Sequence, residues 1–358
     1  MDAPGAARIG KGIFWILLLA MWGCGEYVYD IQISDYNPEE AFPGTTLLGS
    51  MGYPKSLFTV DMEGTLLWAF QDPECYNFWD FEVLDTGEIL YLCTDSLLGM
   101  LQPPDTLVWS RWVPGAHHSV LKLPWGNILY LRHRGIQVDL WPEPIQSDSI
   151  RELNLETGEI VWEWHLDEYI SPTDHFCPLC MEEIHEGPYR DWSHSNSLHY
   201  YEQDSTILLN VRNLNTVLLL SYPSGDVLWA CGDAGAFGGG IFHHPHDAER
   251  LPNGNVVLFD NDEHAGHPDR SRALELAIDP VAQTAEVVWE WRDDHLYCPV
   301  MGDANRLPNG DTLVTDPFRG RVIEVNPAGE KVWEMLMKHP LPGHYHSFYK
   351  SERIPYEE

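Results

Sequence analysis

The chain has 358 residues, of which 55 are acidic and 21 basic, so its formal net charge is −34 with histidine neutral. Nucleic acids and anionic lipid surfaces are bound through basic surfaces, so this charge excludes a general DNA or RNA binder and a polybasic membrane patch. Apolar residues make up 44% of the chain and aromatic residues 12%, which is ample material for a buried core and excludes a disordered protein.

Residues 1–24 have the features of an export signal. Arg8 and Lys11 form a short basic region, and residues 12–23 form an apolar stretch that is too short to span a bilayer comfortably. A small residue before Cys24 resembles the processing site of a bacterial lipoprotein, in which the cysteine is acylated. Simple cleavage nearby and an uncleaved anchor are the alternatives. In each case we expect an exported protein, periplasmic or at the outer membrane or cell surface, that touches a membrane only through its N-terminus.

A hairpin phrase recurs along the rest of the chain: an apolar strand, a polar turn and a second strand that ends in tryptophan, as in LNLETGEIVW. Gly, Asp, Asn or Pro at the turn is typical of a β-hairpin. Successive copies are separated by 41, 53, 67, 60 and 44 residues. We expect the tryptophans to pack in the core rather than to stack on a ligand. The six copies end at Trp68, Trp109, Trp162, Trp229, Trp289 and Trp333.

A second hairpin phrase, with the turn L-P-x-G followed by an apolar run, alternates with the first and is clearest in residues 118–131, 246–259 and 302–315. Two hairpins in each period of about 40–65 residues give a four-stranded unit, which is typical of a β-propeller blade. The sequence therefore predicts an all-β fold, a six-bladed β-propeller with four-stranded antiparallel blades. A pair of β-sandwiches is the alternative.

The repeat also predicts how the chain is divided. After the export signal at 1–24, we expect an N-terminal entry segment and then the propeller, which contains one insert and is followed by a closing segment. The expected bounds are 25–50 for the entry segment, 51–338 for the propeller, 165–191 for the insert and 339–358 for the closing segment.

Six cysteines follow Cys24, and in an exported chain they make disulfides plausible. One pair has the spacing C-x-x-C and, with His175 and His185 nearby, resembles half of a zinc knuckle. A second close cysteine pair is missing, so a local disulfide or an ordered loop is the favoured alternative, and we expect no metal. The six are Cys75, Cys93, Cys177, Cys180, Cys231 and Cys298.

Three of the 17 histidines, His118, His194 and His246, occupy equivalent positions at the start of the second phrase. In a propeller these positions begin the innermost strands, so three imidazoles would point at one axial cavity. Arg212 lies at the far end of the hairpin that His194 opens, where it could face the same cavity or form a salt bridge between blades.

Residues 191–213, DWSHSNSLHYYEQDSTILLNVRN, resemble the D-W-x-H-x-N-S…S-x-R segment of bacterial arylsulfate sulfotransferases. The strings HHSVLKLPWGNIL, HPHDAERLPNGNVVLFDN and SRALELAID are similar to the same family, and the resemblance covers most of residues 45–335. It implies an exported six-bladed propeller that needs no cofactor and no nucleotide sulfate donor. Such a protein moves a sulfuryl group from a phenol ester to another phenol through a sulfohistidine.

The motif match also implies roles for particular residues. His246 resembles the nucleophile, and His194 resembles the partner that acts on the leaving or entering phenol. Arg212 resembles the clamp for the anion, and His118 resembles a further sulfate ligand. The expected partners are therefore small aryl sulfates and phenols, and no nucleic acid.

Four further residues of the matching strings are candidates for substrate binding. His117 or His244 would take over a catalytic position if the match slipped by one or two residues. Asn196 lies in the D-W-x-H-x-N-S string, and Arg272 lies in SRALELAID. The C-x-x-C insert does not belong to the family pattern.

These residue types suit transfer of a sulfuryl group. A sulfate monoester is anionic, and its sulfur is attacked in line, as in phosphoryl transfer. Neutral imidazole is a competent nucleophile, and a covalent intermediate divides the transfer into two steps. A second histidine can protonate the leaving phenolate and later deprotonate the acceptor. The planar fork of arginine offers donors to the sulfuryl oxygens.

Two other functions remain as alternatives. One is a non-catalytic exported propeller, a binding or scaffold protein, whose histidines are remnants. The other is a hydrolase or oxidase with a metal held by the three axial histidines. Arg212 argues against the metal site, because a cation that points at a metal ion is unfavourable. The sequence has neither a P-loop nor a G-x-S-x-G elbow.

Overall fold

The structure is a computed structural model that describes residues 29–51, 55–94, 96–182, 189–264, 270–338 and 347–356. The expected export signal, the acylation site Cys24 and His185 lie outside these residues. Within the described ranges no helix has the length and the apolar character needed to cross a membrane. Their helices are single 3-10 turns at Leu166–Glu168, Cys180–Glu182, Arg212–Leu214 and Pro317–Arg319.

Strands in this part of the chain form six sheets, and neighbouring strands within the four-stranded core of each sheet are antiparallel. The innermost strand of each sheet contacts the innermost strands of the two neighbouring sheets, and these contacts close a ring. The predicted six-bladed β-propeller with four-stranded antiparallel blades is therefore confirmed.

Blade 1 combines strands from both ends of the chain, and blades 2 and 3 follow it in chain order. β1 (Asp30–Tyr36) belongs to the last blade. Blade 1 contains β2 (Gly44–Met51), β3 (Leu57–Val60) and β4 (Leu66–Phe70), together with β26 (Ser347–Pro355) as its innermost strand. Blade 2 contains β5 (Phe78–Val83), β6 (Ile89–Cys93), β7 (Leu97–Gln102) and β8 (Thr106–Trp112). Blade 3 contains β9 (Ala116–Lys122), β10 (Ile128–Ile136), β11 (Ile145–Leu153) and β12 (Ile160–His165), and the short β13 (Arg190–Asp191) pairs in parallel with β11.

The last three blades follow the chain from the axis outward. Blade 4 contains β14 (Ser195–Tyr201), β15 (Thr206–Val211), β16 (Thr216–Ser221) and β17 (Val227–Gly232). Blade 5 contains β18 (Pro245–Arg250), β19 (Val256–Asp260), β20 (Arg272–Asp279) and β21 (Thr284–Trp291). Blade 6 contains β22 (Asp303–Arg306), β23 (Thr312–Asp316), β24 (Arg321–Val325) and β25 (Lys331–Lys338), with β1 as a fifth strand outside β25.

The two ends of the chain build blades rather than flank them. β1 and most of β2 fall in the expected entry segment 25–50, yet they pair within blades 6 and 1. β26 falls in the expected closing segment 339–358 and is the inner neighbour of β2. Without β26, the inner edge of β2 would present unpaired backbone groups to the channel. Blade 1 is therefore completed only when the C-terminal strand is in place.

The repeated tryptophans lie on the fourth strand of each blade, where they join one blade to the next. Trp162 Nε1 donates a hydrogen bond to the carbonyl oxygen of Pro223 in blade 4, at 2.8 Å. Trp289 makes the same contact with Pro327 in blade 6, at 3.2 Å. Five of the tryptophans are half-buried, whereas Trp333 is fully buried because β1 covers its strand. The repeat thus marks the contact between adjacent blades.

Four of the six cysteines that follow Cys24 are joined in pairs. Cys75 and Cys93 link the loop before β5 to the end of β6. Cys177 and Cys180 are joined within the insert. The other two, Cys231 and Cys298, are buried thiols.

Trp162→Phe removes the indole donor and keeps an aromatic ring in place. We expect the free energy of unfolding to fall by about 1 kcal/mol more than in Trp109→Phe, because only Trp162 loses a hydrogen bond between blades. Trp109 is the matched control: it is half-buried on the equivalent strand of blade 2. Urea unfolding followed by far-ultraviolet circular dichroism measures both variants. Equal losses would show that the tryptophan stabilises the ring by packing alone.

Candidate functional site

The starts of the inner strands converge on a cavity of about 280 Å³ at one end of the channel. Three of the four residues expected to carry the chemistry, His118, His194 and Arg212, line this cavity. Trp79 and Tyr349 also line it, so polar groups meet an aromatic wall. The cavity therefore combines donors for an anion with a surface for an aryl ring.

The backbone is bent where these histidines enter the cavity. His118 and His194 have φ values of 55° and 47°, in the left-handed region that few residues other than glycine adopt. The pairing of β9 with β10 shifts register beside His118, and the pairing of β14 with β15 shifts just after His194. Such bulges turn a side chain out of its regular direction and cluster at functional sites. Here they accompany imidazoles that face the axis.

His246 is held in one tautomer by Asn261. The Asn261 side-chain nitrogen donates to the backbone carbonyls of Cys298 and Met301, so its oxygen must face the other way. That oxygen lies 2.6 Å from His246 Nδ1 and accepts a hydrogen bond from the Nδ1–H. Neutral His246 therefore keeps a lone pair on Nε2. This Nε2 is buried and has no hydrogen-bond partner among the described residues.

The same imidazole is kept neutral by its surroundings. Burial lowers the pKa of His246 well below the ordinary value of 6.5, and the positive charge of Arg212 lowers it further. Burial also lowers the pKa of His118, with His194 as the next cause. Both rings are thus neutral at neutral pH, which is the state a nucleophilic imidazole needs.

His194 is held by a buried carboxylate. Asp191 Oδ2 accepts a hydrogen bond from His194 Nδ1, and Asp191 Oδ1 accepts one from the backbone N–H of His194 at 3.2 Å. The carboxylate decides which nitrogen keeps its proton and orients the ring. The pair has the geometry of a histidine prepared for proton transfer.

His118 is supported by a second layer of buried groups. Its Nδ1 lies 2.9 Å from Nδ1 of His117, and His117 Nε2 lies 3.1 Å from Asp148 Oδ1. His133 stacks on His117 with 3.6 Å between the ring centroids. Burial alone would raise the pKa of Asp148, but His117 and His133 hold it well below its usual range. His117 therefore acts on His118 and does not line the cavity itself.

Arg212 is buried at the start of the 3-10 turn that follows β15. Its Nη1 donates to Asn213 at 2.7 Å, and its Nη2 donates to Glu263 at 3.0 Å and to the carbonyl oxygen of Pro299 at 3.1 Å. The guanidinium thus lines the cavity and also forms the ion pair between blades that the sequence left as an alternative. These contacts fix its orientation.

Three of the four substrate-binding candidates lie away from the cavity. Asn196 donates to the carbonyl oxygen of Pro245 between blades 4 and 5. Arg272 pairs with Asp260 at 2.8 Å in blade 5. His244 points toward the insert. With His117 in the second layer, none of the four is among the residues that line the cavity.

Two aromatic residues of the site were not singled out in the sequence. The ring of Trp79 lies 4.9 Å from that of His118, and the ring of Tyr349 lies 5.7 Å from His118 and 6.0 Å from His246. Trp79 had no specific signal, because nine of the 15 tryptophans stand outside the six-copy repeat. Tyr349 had none either, because β26 contains neither hairpin phrase.

A larger cavity of about 560 Å³ occupies the rest of the channel. Later residues of the inner strands line it, and carboxylates outnumber cations. Lys350 lies 2.5 Å from Asp80, and burial raises the pKa of Glu352 to about 7. An anionic ester would be repelled here, so the smaller cavity is the candidate site.

Within the described residues, His118, His194 and His246 are not part of a cluster of three or more metal-ligating side chains. Within the described ranges, two sets of side chains bring three or more metal-ligating atoms within 4.8 Å of one another. Neither set contains His118, His194 or His246. The sets are His117 with His133 and Asp148, and Cys177 and Cys180 with His244 and His264.

The fold and the candidate site define a β-propeller protein with a cavity at one end of its channel, lined by two imidazoles, a fixed guanidinium and an aromatic wall. Residues 37–320 match the family model described as Arylsulfotransferase (ASST). The chain belongs to the arylsulfotransferase family.

Comparison with curated proteins gives no match. Among solved structures, a protein of unknown function from Bacteroides caccae is similar at 15% identity with a TM-score of 0.54, over 86% of this chain and 98% of that one. Virginiamycin B lyase from Staphylococcus aureus is similar at 9% identity with a TM-score of 0.47, over 88% of this chain and 89% of the other. At such identities the Bacteroides caccae structure supports the fold alone.

Arg212→Gln removes a charge that lowers the pKa of His246. We expect the pKa of His246 to rise, although only in part, because burial is the larger cause and remains. Nitrogen-15 NMR of the imidazole measures the titration and also shows whether the proton is on Nδ1. Arg250→Gln is the control, since Arg250 pairs with Asp204 at the other end of β18 and should leave the titration unchanged. An unchanged pKa in Arg212→Gln would contradict the geometry described here.

Proposed function

We propose that this protein moves a sulfuryl group from a phenolic sulfate ester to a phenolic acceptor through a sulfohistidine at His246. The observation that carries the proposal is the fixed tautomer of His246, whose buried Nε2 keeps a lone pair while burial and the charge of Arg212 lower the pKa of the ring. Family membership supports sulfotransferase chemistry. The aromatic wall beside the cationic Arg212 supports an aryl ester as the substrate.

In the first half-reaction, His246 Nε2 attacks the sulfur of the ester in line. A nitrogen–sulfur bond forms as the bond from sulfur to the phenolic oxygen breaks. Protonated His194, held by Asp191, gives its proton to the departing phenolate. In the second half-reaction His194 takes a proton from the acceptor phenol, whose oxygen attacks the sulfur and releases neutral His246.

The sulfuryl oxygens are held by Arg212 and His118. Arg212 offers a cation whose position is fixed by Asn213 and Glu263. His117 contacts Asp148 through Nε2 and His118 Nδ1 through its own Nδ1. In the tautomer of His118 that accepts at Nδ1, the proton is on Nε2, and this N–H can donate to a sulfuryl oxygen.

Transfer also requires a movement at the aromatic wall. His246 is not among the residues that line the cavity, and its Nε2 is buried. The ring of Tyr349 lines the cavity and lies 5.7 Å from the ring of His118 and 6.0 Å from that of His246. We infer that Tyr349 turns aside when the ester binds, which brings the sulfur within reach of Nε2.

Incubation with 4-nitrophenyl sulfate and phenol tests the proposal. We expect nitrophenol release that depends on added phenol, and a sulfuryl adduct on His246 in peptide mass spectra when phenol is absent. His246→Ala should abolish the adduct and the transfer, and His194→Ala should slow transfer by about 10²–10⁴-fold. His243→Ala is the control, because this neighbouring histidine is half-buried beside Asp262 and makes none of the contacts described for the site. Full activity of His246→Ala, or sustained release without phenol, would contradict the proposal.

Salt should raise the rate of capture. A chain with a net charge of −34 repels an aryl sulfate at long range, and added salt screens that repulsion more than it weakens contacts inside a buried site. We expect kcat/KM for 4-nitrophenyl sulfate to increase between low and moderate ionic strength. A steep fall would mean that the potential at the cavity mouth is positive.

A further inference from the structure

The insert and the rim of blade 5 bring two cysteines and two histidines to one point. Cys180 Sγ lies 3.3 Å from His244 Nε2, and Cys177 Sγ lies 3.5 Å from His264 Nδ1. Cys180 Sγ also lies 3.9 Å from His264 Nδ1. In a tetrahedral zinc site, with bonds of about 2.3 Å to sulfur and about 2.0 Å to nitrogen, these ligand atoms are about 3.5 Å apart. The three sulfur–nitrogen distances in the cluster are close to this spacing.

The surroundings of the cluster also suit a metal. The backbone N–H of Cys180 donates to Cys177 Sγ at 3.2 Å, a contact that stabilises a thiolate. Glu263 Oε2 lies 3.2 Å from His244 Nδ1 and accepts a hydrogen bond from the Nδ1–H. This leaves a lone pair on His244 Nε2, the nitrogen that faces Cys180. A carboxylate that orients a ligating histidine in this way is common around zinc.

We propose that Cys177, Cys180, His244 and His264 form a tetrahedral site for a divalent zinc ion. Two thiolates and two imidazoles are a ligand set that zinc prefers, and four protein ligands leave no open position for catalysis. The sequence showed only the C-x-x-C half of this set, since the two histidines come from the rim of blade 5.

The site forms from the reduced cysteines. Each thiol loses a proton as its sulfur binds the ion. Cys177 and Cys180 are joined as a disulfide in the structure, so binding requires two electrons and two protons to separate them. A phosphine supplies the electrons and is converted to its oxide, while water supplies the oxygen atom and the two protons.

The metal site is connected to the catalytic cavity by one carboxylate. Glu263 Oε2 contacts His244 Nδ1 at 3.2 Å and Arg212 Nη2 at 3.0 Å. A metal that fixes His244 therefore fixes Glu263, and through it the guanidinium that lines the cavity. This consequence rests on the proposed function, whereas binding of the metal does not.

Metal binding is measured on the full chain, reduced with a phosphine and freed of metal by a chelator under anaerobic conditions. We expect one zinc ion per chain by mass spectrometric metal analysis. With cobalt in place of zinc, we expect a thiolate-to-cobalt charge-transfer band and the visible bands of tetrahedral coordination. Failure of the reduced protein to bind either metal would overturn the site, whether or not the protein transfers sulfuryl groups.

Variants identify the ligands. Cys180→Ser and His264→Asn should each lose the charge-transfer band or the tetrahedral spectrum and weaken zinc binding, whereas the control His175→Asn should bind as the parent does. His175 lies beside the C-x-x-C pair but outside the cluster. Glu263→Gln should weaken zinc binding by about 10–100-fold, because it changes the partner that orients His244.

His264 is exposed, so its replacement should leave the fold intact by circular dichroism. Parent-like cobalt spectra in His264→Asn would overturn the assignment.

Discussion

Hydrogen bonds between β26 and β2 hold the two ends of the chain in one sheet, and the ring is closed through them. Because β26 is the innermost strand of blade 1, the same pairing places Tyr349 beside His118 and His246. Farther along β26, Arg353 is fully buried against Glu324 of blade 6 at 3.1 Å, which joins the first blade to the last. If the pairing of β26 with β2 were lost, the adjoining strands of blades 1 and 6 would each lose a neighbour. The cavity would also lose the part of its wall that Tyr349 forms. The site is therefore a property of the closed ring rather than of a single loop.

Blade number could be predicted from sequence because the tryptophan repeat reports a local contact. Each tryptophan lies on the fourth strand of its blade, and Trp162, Trp289 and Trp333 donate a hydrogen bond to a turn carbonyl of the next blade. Closure could not be predicted in the same way. Thr46 and Arg353 contact each other across 307 residues of sequence, and neither β2 nor β26 carries a hairpin phrase. A pairing between chain ends leaves no periodic signal, so its two strands were expected to lie outside the blades.

Of the four residues predicted to carry the chemistry, His118, His194 and Arg212 line one cavity. His246 occupies the same position of the repeat but is not among the residues that line it. Proximity in sequence was a poor guide to the cavity elsewhere. Arg272 forms salt bridges with Asp260 and Glu290, as expected for an arginine in a chain with 55 acidic residues. The group that fixes the tautomer of His246 is an amide anchored by backbone carbonyls, and a sequence does not show which carbonyls will be near.

The excess of acidic residues and an anion site are compatible because of where the charges lie. Carboxylates dominate the larger part of the channel, while the smaller cavity contains Arg212 and imidazoles. The proposed zinc site preserves this division. Two thiolates cancel the two charges of the ion, so an ion bound by Cys177, Cys180 and two imidazoles adds no net charge beside the cavity. It acts on the cavity through position alone, because the Glu263 carboxylate that holds a zinc ligand also holds the guanidinium. The charge proposed to capture an anion and the metal proposed to orient that charge are thus separate parts of the molecule, joined by the Glu263 carboxylate.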